Sequence, residues 1–264
     1  MLRRQGEAMQ ANNWLQGRHA LITGGGTGIG AATATHLHAA GAKVSLLGRR
    51  MEPLERTAAI VDGKPIACDV TDRDGISRAF DEARAANGPI SFLIVNAGIG
   101  DSAPFSRTSR DAWDRIIATN LTAAFDCAQA ALPDLLAGQD SRLVFIASVA
   151  GLKGAAYAAP YAASKHGLVG LMRSMAVEFA ASNMTVNAVC PAFVDTPMVE
   201  ESVARIASAA KRSEKDARAS LAALNRHGRL IHPDGVATMI LSLCLPQSRD
   251  VNGAALTIDG GTTA

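Results

Sequence analysis

Along the chain, short apolar runs alternate with longer segments in which apolar residues recur every three or four positions. The runs are HALITG (19–24), KVSLLG (43–48), PIACDV (65–70), ISFLIVNAG (90–98), RLVFIAS (142–148), MTVNAVC (184–190) and AALTID (254–259). Each reads as a buried strand, and the first is ended by a glycine cluster. Helical segments fall at 29–40, 52–60, 72–86, 111–137, 160–181, 196–223 and 233–245. Gly41 stops the first, and Pro133 is expected to kink or end the fourth. Seven apolar strands separated by helices imply an α/β fold with a parallel sheet covered on both faces. Right-handed crossovers make it doubly wound, a Rossmann arrangement. With no internal repeat, low-complexity tract or linker, one domain is expected over 17–264, behind an N-terminal tail at 1–16.

Bulk properties narrow the classes. The chain has 264 residues, 48% hydrophobic and 19% charged, enough for a sizeable core and unlike a disordered chain. A net charge of +2 makes no case for a nucleic-acid surface. Cys68, Cys127, Cys190 and Cys244 lie far apart with no CxxC pair, which suggests buried thiols in a reducing cytoplasm. The N-terminus has two arginines but no apolar run after them, and no stretch of 18 apolar residues occurs. Neither a secretory signal nor a membrane span is expected.

The first strand runs into TGGGTGIG (23–30), which opens the first helix. Glycines allow positive φ and close backbone approach, and a helix N-terminus offers free N–H groups to a phosphate. Gly24, Gly28 and Gly30 do not spell GxGxxG; Gly26, Gly28 and Ala31 give a GxGxxA reading, weak by itself. A plain strand-to-helix turn is the alternative. In the dinucleotide pattern an acidic residue about 20 positions on holds the ribose 2′-hydroxyl. Here the second strand ends in Gly48, Arg49 and Arg50. A carboxylate would repel a 2′-phosphate, whereas a guanidinium grips one through paired hydrogen bonds. The pattern favours NADP(H), with NAD(H) possible; solvated surface arginines are the competing reading.

The only two tyrosines are Tyr157 and Tyr161. Lys165 follows Tyr161 by four residues near a helix start, so the two share a face. Ser148 ends the fifth strand, at the carboxyl edge where doubly wound sheets bind ligands. TGGGTGIG, Asn96-Ala97-Gly98, Asn120, Ser148 and Tyr161-Ala-Ala-Ser-Lys165 together resemble the short-chain dehydrogenase/reductase family, over about residues 17–261. Two positions depart from the family pattern: Val95 replaces a frequent asparagine, and Ala192 follows Pro191 where glycine is usual.

The resemblance implies an enzyme that interconverts a ketone and a secondary alcohol. Tyr161 would be the acid for reduction and the base for oxidation. A phenol with a pKa near ~10 must fall by about 3 units to serve as a base, roughly 4 kcal/mol of phenolate stabilisation, for which the Lys165 ammonium and an oxidised nicotinamide are the expected sources. Lys165 would also hold the nicotinamide ribose, Ser148 the substrate oxygen, and Asn120 a water linking Lys165 to solvent. The cofactor positions implied are Gly24, Gly26, Thr27, Gly28 and Ile29 at the phosphate turn, and Arg49 and Arg50 beyond it. Asp69 and Val70 would flank the adenine, and Asn96, Ala97 and Gly98 would pass under its ribose. Pro191, Val194 and Thr196 would meet the nicotinamide half. Tyr157 either lines the substrate cleft or packs. His166 is read as structural, and His36 and His38, two apart, make a poor metal pair; no metal site is expected. A non-catalytic dinucleotide-binding module would lack the Tyr and Lys pair.

Segment 196–223 is where this family carries its substrate lid. Arg205, Lys211, Arg212, Lys215 and Arg218 there are candidates for the phosphates of an acyl-CoA or an acidic carrier protein; Glu200, Glu201, Glu214 and Asp216 oppose that. The wording of the motifs points to a 3-oxoacyl thioester reductase or the reverse 3-hydroxyacyl dehydrogenase. A free ketone, sugar or cyclic alcohol is the alternative substrate. The resemblance also implies a homotetramer or homodimer, with contacts through helices 111–137 and 160–181 and the last strand.

Overall fold

A computed structural model describes residues 13–264. Seven parallel strands form one sheet in the order β3-β2-β1-β4-β5-β6-β7. The strands are β1 His19–Thr23, β2 Lys43–Gly48, β3 Lys64–Ala67, β4 Phe92–Val95, β5 Ser141–Ile146, β6 Met184–Pro191 and β7 Ala255–Ile258. The helices are α1 Gly28–Ala39, α2 Met51–Val61, α3 Arg73–Asn87, α4 Arg110–Ile117, α5 Ala123–Ala137, α6 Ala159–Glu178, α7 Pro197–Ala210, α8 Glu214–Ala222 and α9 Pro233–Cys244.

The sheet is sealed on both faces because successive strand side chains point to opposite sides. Leu21, Leu47, Leu93, Leu143 and Val186 meet α3, α5 and α6. Their neighbours Ala20, Ile22, Leu46, Ile94 and Val144 meet α1, α2 and α9. This two-sided burial explains why the strands read as continuous apolar runs. β1 pairs with both β2 and β4, so strand order reverses between β1 and β4. A crevice opens at such a reversal, outside the carboxyl ends of the strands.

Three details differ from the pattern-based reading. The third and fourth strands are shorter than their apolar runs, ending at Ala67 and Val95, so Asp69, Val70 and Asn96–Gly98 are free to leave the sheet as loops. The long helix over 111–137 is interrupted at Ala118–Thr122 by a π turn and not at Pro133, which lies inside α5 one turn before its end. The 196–223 segment is two helices, because Lys211 adopts a left-handed conformation (φ 50°) that ends α7. α7 and α8 share a small core of Val199, Val203, Ala217 and Leu221. Residues 1–12 of the expected tail lie outside the described residues; Leu15, near its end, is buried and donates its N–H to Ala40 O at 2.9 Å.

Candidate active site

The crevice at the strand reversal is built from β1 and β4. Thr23 Oγ1 accepts the N–H groups of Asn96 and Ala97, each at 3.0 Å. Asn96 Nδ2 donates to the carbonyls of Thr23 at 2.9 Å and Gly24 at 3.1 Å. The buried Thr23 hydroxyl and the Asn96 amide thus lock the first glycine turn to the loop after β4. Gly24 has φ +65°, and a Cβ there would lie 2.9 Å from Asn96 Nδ2, so only glycine fits. Gly28 has φ +55° and faces Thr196, whose Cγ2 would lie 3.0 Å from an added Cβ. The N-termini of α1 and α7 therefore meet across a narrow gap. Neither Thr27 nor Thr196, their N-cap residues, caps its helix with its side chain. Two uncapped helix starts and a glycine-lined turn suit the negative charge of a pyrophosphate. Val194 is buried and bridges to Ile231. Asn225, fully buried, braces this turn by accepting from Phe193 N at 3.1 Å and donating to Phe193 O at 2.9 Å.

Arg49 and Arg50 are exposed at the carboxyl end of β2. Asp69, also exposed, accepts the Thr71 N–H at 2.9 Å and its hydroxyl at 2.8 Å. Those bonds, with a smaller contribution from the charge of Arg49, hold its carboxyl below the usual range. Arg49 therefore stands near the end of β3, on the side of the crevice reached through α2.

β5 leads to Ser148, whose Oγ accepts the Ala150 N–H at 3.1 Å and donates to Pro191 O at 3.4 Å. Tyr161 is half-buried on the first turn of α6, close enough to the Ser148 side chain to be influenced by it. Lys165 is buried one turn on; its Nζ donates to Ile146 O at 2.7 Å and lies 5.7 Å from the Tyr161 ring centroid. Gly98 borders the same spot, for a Cβ there would sit 3.7 Å from Lys165 Nζ and 3.2 Å from Asn120 Oδ1.

The electrostatics differ from expectation in one respect. Burial pushes the Tyr161 phenol above its ordinary value, the Ser148 side chain pulls it back, and nearby Cys190 pushes it up further. Lys165 is not among the groups that shift it, and its Nζ is bonded to the Ile146 carbonyl. Burial also lowers Lys165 to about 8, against a smaller raising effect of Cys190. The fully buried Cys190 thiol, raised by burial to about 11, backs the pair.

Asn120 lies in the π turn, a distortion that recurs at functional sites. Its Oδ1 accepts the Ile99 N–H at 2.8 Å, and its Nδ2 donates to Ile99 O at 3.0 Å and to Ser164 Oγ at 3.2 Å. Ser164 Oγ donates in turn to the Tyr161 carbonyl at 2.7 Å. The side chain of Asn120 is thus committed to fixing loop and helix. Pattern reading missed Ser164, Thr23, Asn225 and the Ile146 carbonyl. Ser164, inside YAASK, and Thr23, before the glycines, were in view without a partner to give them meaning.

Tyr157 does not pack: it is 67% exposed, with φ +63°. Its carbonyl accepts the Ala103 N–H at 2.8 Å, which ties the loop before α6 to the loop after β4. His166 is exposed, and its Nδ1 bonds only the Ala162 carbonyl one turn back, at 2.9 Å. All four cysteines are buried free thiols. No helix of the described residues is long and apolar enough to cross a membrane.

Comparison with known proteins gives this geometry its class. The family model for short chain dehydrogenase matches residues 18–207. The chain is 38% identical over 253 residues to the cis-4-hydroxycyclohexanecarboxylate dehydrogenase of Sinomonas cyclohexanicum, covering 94% of this chain and 97% of that protein. It is 34% identical over 252 residues to the 3-oxoacyl-[acyl-carrier-protein] reductase FabG of Thermotoga maritima, covering 94% and 98%. A crystal structure of an actinorhodin polyketide ketoreductase variant with NADPH superposes with a TM-score of 0.88 at 33% identity, covering 93% of this chain and 97% of that one. The chain belongs to the short chain dehydrogenase family. It is an oxidoreductase acting on CH–OH groups, in a family that uses a nicotinamide dinucleotide.

Proposed function

We propose that this enzyme interconverts a ketone and its secondary alcohol, with NADP(H) preferred and a compact free ketone as carbonyl substrate. The observation that carries the reading is the side-by-side placement of Ser148 and Tyr161 at the carboxyl end of β5, with Lys165 buried beside them. Two neighbouring hydroxyls can both address one carbonyl oxygen. Ser148 stabilises the charge growing on it, and Tyr161 gives it a proton in reduction or takes one in oxidation. When bound, the nicotinamide supplies or accepts the hydride and, oxidised, a positive charge. Lys165 holds the ribose and Asn120 keeps the Ile99 loop and the Tyr161 turn in register. The glycine turn with Thr27 and Ile29, and Thr196 opposite it, receive the pyrophosphate.

Arg49 and Arg50 support NADP(H), since no carboxylate stands at the end of β2 to repel a 2′-phosphate. Asp69, near Arg49, has its Oδ1 engaged by Thr71. The lid supports a compact substrate. Arg205 bonds Ser202, Arg212 bonds Ser220, and Arg218 pairs with Asp195 and Glu200, so three of the five lid cations are engaged within or beside the lid. A second reading, with a 3-oxoacyl thioester as the ketone, is supported by the Thermotoga relative and by the remaining lid cations. A homo-oligomer fits the exposed apolar residues Phe125, Leu136 and Val177 on α5 and α6.

The test is a panel of cyclic and open-chain ketones and 3-oxoacyl thioesters, followed by the ultraviolet absorbance of the reduced cofactor with NADPH and NADH in parallel. Turnover of free ketones with a clear NADPH advantage supports the proposal. Thioester-only turnover moves the assignment to the second reading, and an NADH preference that survives Arg49→Ala removes the cofactor assignment.

A further inference from the structure

The mouth of the cleft carries charges that proton transfer does not use. The loop after β4 is anchored at both ends, Ile99 on Asn120 and Ala103 on the Tyr157 carbonyl. Asp101 lies between these anchors, and hence between the buried amide and the exposed tyrosine. α7 covers the loop: a Cβ on Gly100 would lie 3.4 Å from Met198 Sδ. Arg205 follows Met198 by seven residues, about two turns or roughly 10 Å along α7, and so on the same face.

The Arg205 guanidinium comes within 3.8 Å of Asp101 Oδ1, and its Nη2 donates to Ser202 Oγ at 3.1 Å. From the other side Arg115 of α4 donates to Asp101 Oδ2 at 3.0 Å. Two guanidiniums thus share one carboxylate. The Arg115 pair has hydrogen-bond geometry; the Arg205 pair is too long for it, and most of the five N–H donors of Arg205 have no partner among the described residues. Glu201, one turn earlier on α7, forms no ion pair among the described residues. Both arginines are partly exposed, so the cost of removing water from them on binding is modest.

We propose that Arg205, steadied by Asp101 and set against Arg115, is a subsite for an anionic oxygen group on the substrate, remote from the reacting carbonyl. The group is the carboxylate of a free oxo acid or a phosphate of a thioester carrier. Either replaces the long Asp101 contact with paired N–H···O bonds, which a planar guanidinium makes well. The proposal rests on the ketone–alcohol reading above and narrows its substrate class.

Matched substrate pairs that differ only in charge test it. One pair is 4-oxocyclohexanecarboxylate and its methyl ester; the other is acetoacetyl-4′-phosphopantetheine and acetoacetyl-pantetheine. The wild type is expected to favour the anionic member of at least one pair by about 10-fold or more in kcat/KM, chiefly through KM. The pair that shows it distinguishes carboxylate from phosphate. Arg205→Met should shrink that ratio several-fold, and Arg205→Lys, which keeps the charge but loses the fork, should fall between. A wild-type ratio near one in both pairs overturns the subsite, as does a variant that lowers both members of a pair equally. Turnover of neutral ketones with no charge preference leaves the ketone–alcohol reading standing while the subsite falls. No turnover of any carbonyl removes both.

Discussion

At the scale of single residues, the site depends on how burial and hydrogen bonding set two proton affinities. Tyr161 is raised by burial and lowered by Ser148, so its hydroxyl is protonated at neutral pH and suited to donate. Replacing it with phenylalanine removes the donor and leaves the ring. Tyr161→Phe should lose about 10³-fold or more in kcat, while titration of the reduced-cofactor fluorescence shows binding within a few-fold of the wild type. Retained turnover would move the proton donor elsewhere. Lys165 makes a pH prediction. Its affinity is lowered to about 8, so the ammonium persists below that pH and the neutral amine dominates above it. If the ammonium holds the cofactor ribose, the dissociation constant of NADPH should rise as pH increases through about 8. A flat profile across that range would mean the ammonium does not contribute to binding.

At the scale of elements, the chemistry is positioned by where strands and helices stop. β2 ends at Gly48 and α2 begins at Met51, leaving Arg49 and Arg50 on an exposed turn beside the crevice. Arg49→Ala should reduce kcat/KM with NADPH by about 10-fold or more and change that with NADH by less than about 2-fold, since a bond to a charged phosphate is involved in one case only. Equal losses with both cofactors would make Arg49 a surface residue. The π turn at Ala118–Thr122 was not evident in the apolar pattern, which runs through it unbroken. The π turn places Asn120 in the core. Pro133 was the visible helix breaker, yet α5 continues to Ala137. A proline this close to a helix end forfeits one backbone bond, and packing of Ala128, Ala131 and Leu135 against the sheet supports the last turn.

At the scale of the whole molecule, the amino end of the sheet carries a pH-sensitive contact opposite the site. His19 is buried; its Nδ1–H donates to Gly88 O at 2.8 Å and its Nε2 accepts from the Ser45 hydroxyl at 2.9 Å. Asn87 Nδ2 donates to Ser45 Oγ at 3.0 Å, completing the chain of bonds. Both ring nitrogens are used by a neutral imidazole, and burial lowers the histidine from its ordinary 6.5. Below 6.5 the unfolded chain takes up a proton that the folded state resists, so this contribution is complete above 6.5 and is lost as pH falls below it. The urea midpoint of the wild type should drop between about pH 7.5 and 5.5 by more than that of His19→Gln. Equal drops would exclude His19 as the cause. Phe125, Leu136 and Val177 remain exposed on α5 and α6, as expected of faces that meet a second copy. Phe125→Glu should shift the light-scattering mass toward the monomer; an unchanged oligomer, or a wild-type monomer, would remove that face as the contact.

The sequence by itself determined the parallel sheet, because buried two-faced strands must be apolar throughout and helices of a crossover must show a stripe. It also put Lys165 one helical turn after Tyr161 and Ser148 at the end of a strand, because those relations are local. The tertiary structure alone decided which distant groups complete them. Ile146 O binds Lys165, Ile99 and Ser164 bind Asn120, and Thr23 binds the loop of Asn96. These are contacts between residues up to 73 apart in sequence, and no periodicity encodes them. The direction of the Tyr161 shift was likewise a tertiary matter: spacing put a lysine one turn away, but the burial that raises the phenol comes from packing.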